Sequence, residues 1–224
     1  MDAAATLGAL AAARFSCRGF LDRPVPRATI THILTLAQRT ASWCNAQPWQ
    51  VIVTSGAATE RLRAALLAHA ETAPPTPDFP WPSAYHGVYQ ARRRECGFQL
   101  YESVGVARGD RGAARRQALE NYRLFGAPHC ALITTDAALG VYGAIDCGAY
   151  VGNFMLAARA LGIDCIAQAA LAAYPDFLRD HFGLPRERLI VCGISFGYAD
   201  PAHPANRFRT ARAEIAEVAR FVEE

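Results

Sequence analysis

The chain has 224 residues, 52% of them apolar and 19% charged, a balance that suits a soluble globular enzyme and excludes a disordered chain. The formal charge is only +3, with 20 acids spread among 23 bases, so nucleic-acid binding gains no support. Alanine-rich residues 3–13 predict a first helix that stops before Arg14, and Pro24 and Pro26 then break the chain. Ile30, Ile33, Leu34 and Ala37 recur at helical spacing, and Gln50–Thr54 is a β-branched run that reads as a strand. A helix is expected over residues 57–70. Residues 71–84 hold five prolines and cannot be regular. Further helices are expected over 92–106 and 112–124, then a strand over 131–135.

Residues 143–162 are apolar nearly all round and carry Gly148-x-x-x-Gly152, a pattern shared with membrane spans. Asp146, Asn153 and Arg159 interrupt it, which favours a buried central helix whose glycines let a backbone approach. Strands at 164–168 and 189–196 flank a helix at 175–182, and a proline-marked arm from Pro201 leads to a last short helix. Helices interleaved with few strands make an α+β domain.

All the basic residues are arginines, so any anion site uses guanidinium forks. The seven cysteines include no CxxC pair and the six histidines no HExxH or HxH, so neither a disulfide framework nor a metal site is expected. The N-terminal stretch lacks a basic region ahead of its apolar run, which argues against a signal peptide and for the cytoplasm.

Several motifs could carry chemistry. Gly193-Ile194-Ser195-Phe196-Gly197 matches the GxSxG elbow of serine hydrolases, with Asp200 and His203 following in order. The elbow needs a helix after the serine, and a proline-marked loop follows instead; a small-residue strand packed on a helix also accounts for it. In an extended segment, Arg14, Ser16 and Arg18 share one side and make an anion cradle, although a solvated basic patch would look the same. Residues 40–49, Thr-Ala-Ser-Trp-Cys-Asn-Ala-Gln-Pro-Trp, put amide side chains in a helix-to-strand loop, where they can match a heterocycle's edge or merely cap a turn. Asn206, Arg209 and Arg212 form an Asn-x-x-Arg-x-x-Arg tail.

Taken together and in order, Arg-x-Ser-x-Arg, Pro24-Val25-Pro26, the Asn45-Ala46-Gln47-Pro48-Trp49 block, Gly197-Tyr198-x-Asp200 and the arginine tail resemble the FMN-dependent nitroreductase family, and Gln168-Ala169-Ala170 looks like a branch of it that reduces nitrobenzoates. The resemblance implies a single nitroreductase-like α+β domain over 1–224, with a flap or insert at 71–100 and a C-terminal arm at 201–224. It implies a central, mostly antiparallel sheet flanked by helices, and an intertwined homodimer with FMN at the subunit interface. Arg14, Ser16, Arg18, Arg209 and Arg212 would then hold the flavin from one subunit. Ser42, Trp43, Cys44, Asn45 and Gln47 would approach it from the other. Gln168, Ala169 and Ala170 would face flavin N5, where many members have Glu-Gly, with a backbone N–H of Ala169 or Ala170 as donor.

The activity so implied is ping-pong hydride transfer from NAD(P)H to a small aromatic acceptor, a nitroaromatic such as a nitrobenzoate or a quinone, with no catalytic side chain, metal, membrane or nucleic acid involved. Enoate reduction or oxidation of a biosynthetic intermediate on the same fold is the alternative enzyme reading. A serine hydrolase using Ser195 and a flavin-binding module without turnover are the readings from other classes.

Overall fold

The computed structural model describes residues 2–223; Met1 and Glu224, the two ends of the expected domain, lie outside the described residues. Its centre is a four-stranded sheet of β1 (Gln50–Ser55), β2 (His129–Asp136), β3 (Asp164–Gln168) and β4 (Arg188–Gly197). The spatial order is β1-β2-β4-β3 and every pairing is antiparallel. The helices are α1 (Ala3–Ala13), α2 (Arg27–Ala37), α3 (Ala57–Thr72), α4 (Gly87–Ser103), α5 (Arg111–Leu119), α6 (Gly140–Ala160), α7 (Pro175–Phe182) and α8 (Ile215–Val218).

Side chains of a strand alternate between faces, so β2 feeds two cores. Ala131 and Ile133 pack with Ile30 and Ile33 of α2 and Tyr150 and Phe154 of α6. Cys130 and Leu132 pack on the opposite face with Leu62 and Leu66 of α3 and Leu178 of α7. The register slips between Ile133↔Cys192 and Thr134↔Ile190, which leaves Val191 as an extra residue in β4. That bulge puts Ile194 in the first core and Ile190 in the second, although both positions are even-numbered.

The expected 175–182 helix is observed with those bounds, and the apolar 143–162 segment is α6. Among the described residues, no helix is long and apolar enough to cross a membrane. α4 starts earlier than expected, at Gly87. α5 stops at Leu119, short of the expected Leu124: the chain tightens into turns, with the Asn121 and Tyr122 N–H groups bonded to the Ala118 and Leu119 carbonyls, and Leu124 and Phe125 then turn left-handed (φ 56° and 51°) and are buried. The expected irregular stretch begins at Ala73 rather than 71, since α3 carries on through Thr72, and it is anchored rather than loose. The Thr76 N–H donates to the Ala173 carbonyl at 2.8 Å. Asp78 takes both terminal nitrogens of Arg179 at 2.8 and 3.0 Å, and the Ile190 N–H at 2.8 Å.

Candidate functional site

α1 ends at Ala13, and Arg14 is already extended (φ −70°, ψ 132°). From there the chain runs beside the edge strand β3: Ser16 forms a parallel bridge to Cys165, and the Cys17 N–H donates to the Cys165 carbonyl at 3.2 Å. Alternation then sends Cys17 into the interior, fully buried, while Arg14, Ser16 and Arg18 line a cleft of about 650 Å³. Gly152, Met155 and Leu156 of α6 form another wall, and Phe208, Arg209, Thr210 and Arg212 of the tail close the cleft. Asn206 joins the two ends of the chain. Its Oδ1 accepts the Arg18 N–H at 2.8 Å, and its Nδ2 donates to the Gly19 and Asp200 carbonyls at 2.8 and 2.9 Å.

The five expected cradle residues thus come together in one place. Arg209 stacks 3.9 Å above the Phe15 ring and donates to the Asn206 carbonyl at 2.7 Å. Arg212 donates to the Thr210 hydroxyl at 2.8 Å. Among the described residues, Arg14, Arg18, Arg209 and Arg212 form no ion pair. Burial lowers the Arg18 pKa, yet a guanidinium stays charged in proteins, so the cleft holds cations that no protein carboxylate neutralises. Such a site is complementary to a phosphate, whose oxygens meet guanidinium forks two at a time.

The second group of expected residues sits elsewhere in the chain. Cys44, Asn45 and Gln47 are left-handed (φ 51°, 54° and 49°) in the loop ahead of β1, a conformation that costs side-chain-bearing residues and needs support. The support is local and tertiary. Ser42 Oγ accepts the Gln47 N–H at 2.9 Å, and Asp146 of α6 accepts the Trp43 N–H at 3.1 Å. Gln47 takes a hydrogen bond from Gln38 at 3.0 Å, and Gln38 in turn accepts from Trp49 Nε1 at 3.0 Å. Trp49 is core, stacked on Tyr150. Trp43 is 62% exposed and meets Tyr142 edge-on at 4.6 Å. Trp43, Cys44, Leu139 and Tyr142 help line an apolar cup of about 270 Å³ that shares no residue with the arginine cleft.

Gln168, at the end of β3, is buried. Its Nε2 donates to the carbonyl and side-chain oxygens of Asn121 at 3.0 and 3.2 Å, and its Oε1 accepts from Ser195 at 2.5 Å. The side chain is therefore committed to the interior, and only the following backbone, at exposed Ala169 and half-buried Ala170, is open to a ligand. The same contacts overturn the serine-hydrolase reading. Ser195 is fully buried within β4, two residues from its end, with its hydroxyl donating to an amide oxygen. Both glycines of that motif are packing glycines: a Cβ on Gly193 would lie 2.3 Å from Leu171, and one on Gly197 2.7 Å from Pro128.

Sequence reasoning missed Cys96, Met155, Leu156 and Phe208 as cleft residues, and no spacing signal marks them. Asn206 was visible only as the first letter of the tail motif. Asp146 carried a signal as the one acid of α6. Among the described residues, no cluster could hold a metal ion.

Residues 11–198 match the Nitroreductase family. The chain is 38% identical to nitroreductase NfnB of Mycolicibacterium smegmatis, over 99% of this chain and 94% of that protein. It is 32% identical to a 4-nitrobenzoate reductase of Pseudomonas putida, over 93% and 92%. The crystal structure of the FMN-dependent nitroreductase NfnB from Mycobacterium smegmatis in complex with NADPH superposes with a TM-score of 0.95 at 36% identity, covering 99% of this chain and all of that one.

Proposed function

Because the chain belongs to the nitroreductase family, we propose that it is an FMN-dependent NAD(P)H oxidoreductase that reduces nitroaromatic compounds in a ping-pong cycle. The carrying observation is the cleft in which four guanidinium groups converge without a carboxylate partner. Arg14, Arg209 and Arg212 would bind the FMN phosphate. Arg18, its backbone held by Asn206 and its guanidinium bonded to the Ser16 carbonyl at 3.3 Å, would place a positive charge against the pyrimidine edge and stabilise the anionic reduced ring. A backbone N–H of Ala169 or Ala170 would donate to N5 in place of the Glu-Gly found in many members. When bound, FMN supplies the hydride chemistry, accepting from the nicotinamide and passing to the acceptor.

The loop of Ser42, Trp43, Cys44, Asn45 and Gln47 would meet the flavin from a second subunit, since its cup is separate from the cleft within one chain. A homodimer is supported by apolar surface left uncovered. Tyr142 and Ile145 of α6 are 54% and 57% exposed, and Phe221 and Val222 of the tail are 80% and 83% exposed. A 4-nitrobenzoate reductase among the relatives supports an aromatic acid as one acceptor.

The test is the visible spectrum of purified protein before and after anaerobic NADPH or NADH. Oxidised-flavin absorption that bleaches, then returns on adding a nitroarene, is the expected result. Protein that is colourless and takes up no FMN would refute the reading. A panel pairing 4-nitrobenzoate with an enoate separates nitro reduction from the other redox steps this fold could host.

A further inference from the structure

Beside the cofactor cleft lies a second groove of about 500 Å³, walled by α5 on one side and by the Arg18 segment and His203 on the other. Arg18 lines both cavities, so a ligand in the groove would sit next to whatever the cleft holds. The far wall includes Glu120, whose neighbour Asn121 holds Gln168 at the end of β3. The groove therefore spans from Arg18 to the α5 wall, whose end is tied through Asn121 to the end of β3.

Its charge is unbalanced. Arg116 and Glu120 stand four apart around the C-terminal end of α5, a spacing that favours a pair, but Glu120 is drawn to Arg123 at 3.4 Å. Arg116 forms no ion pair among the described residues. The nearest other acid along the helix, Asp110, is occupied as an N-cap by the Ala113 N–H at 2.8 Å. Gln117 adds a neutral donor to the same wall.

We propose that this groove is an anion subsite and that Arg116 is its specificity-determining residue, receiving the carboxylate of an aromatic acid acceptor or the extra phosphate of a phosphorylated nicotinamide donor. The inference rests on the flavoenzyme reading for its purpose, because Arg18 makes the two cavities neighbours. Arg116 is exposed and long enough to swing onto a ligand, and its fork offers two parallel donors to either anion.

Equilibrium titration of the flavin-loaded protein tests it, with 4-nitrobenzoate against nitrobenzene and NADP⁺ against NAD⁺. Arg116→Glu should weaken 4-nitrobenzoate or NADP⁺ by roughly tenfold or more, the loss expected for a charge-assisted bond, while its less charged counterpart stays within about twofold. Which anion responds identifies the source. Arg116→Gln should move the same ligand in the same direction by less. Four ligands unchanged would overturn the subsite. So would four weakened together, which marks a structural defect, or a loss with Glu that Gln does not share, which marks long-range repulsion. If the purified protein takes up no FMN, the flavoenzyme reading falls, and the same titrations on the flavin-free protein still decide the groove.

Discussion

The Ser195 hydroxyl donates to Gln168 Oε1 at 2.5 Å inside the sheet, and the Gln168 amide passes the link on to Asn121 beyond α5. Ser195→Ala leaves a buried acceptor without its donor and should cost about 1–3 kcal/mol in urea unfolding. The cleft arginines are untouched, so the flavin content should stay as in the wild type. A fluorophosphonate probe should label neither protein at position 195.

Arg209 reaches the cleft from a stack on Phe15, 3.9 Å above the ring. Arg209→Ala should weaken FMN by roughly ten- to a hundredfold in a fluorescence titration, the loss of one charged hydrogen-bonding partner. Arg207, two residues earlier, bonds the Ala202 carbonyl outside the cleft and is the control. Arg207→Ala should leave the affinity unchanged, and equal losses from both variants would contradict the site.

The Asp78–Arg179 pair is nearly buried, with side chains 11% and 10% exposed. Asp78→Ala strands the guanidinium with only exposed Asp176 as a charged partner and frees the Ile190 N–H. The expected cost is about 3 kcal/mol in urea unfolding, with faster proteolysis between residues 74 and 86.

His129 is buried as a neutral ring: Nε2 accepts the Val25 N–H at 2.9 Å, which leaves the proton on Nδ1, facing the Thr54 carbonyl and the Ser55 hydroxyl. Burial lowers its pKa in the folded protein. The unfolded chain, with a pKa of about 6.5, then binds the proton more tightly, so this stability is complete above that pH and is lost as pH falls below it. The urea midpoint should drop between pH 7.5 and 5, and His129→Gln should flatten that drop.

Much of this architecture was legible because it rests on local rules. The α2 stripe, the β-branched run of β1 and the proline that opens α7 each announce themselves. That Arg14, Ser16 and Arg18 share one side was legible too, since alternation along an extended segment needs only the knowledge that α1 has ended. What escaped was imposed from a distance. Leu124 and Phe125 are ordinary helix formers that turn left-handed because burial outweighs the backbone cost. The sequence marks Trp43 as a loop residue but not that Asp146 of α6 holds its backbone while the ring stays on the surface. Nothing in a Gln-Ala-Ala run tells that the amide turns inward to a serine on β4.

The bond from the Arg18 N–H to Asn206 spans 188 positions. A chain made from its N-terminus displays the first arginines early, but the residue that holds the Arg18 backbone and the two arginines that close the cleft emerge only after every strand has been synthesised. Loading of an anionic cofactor is therefore a late event in the protein's maturation. A message cut short ahead of residue 206 would encode the whole sheet and no closed cleft.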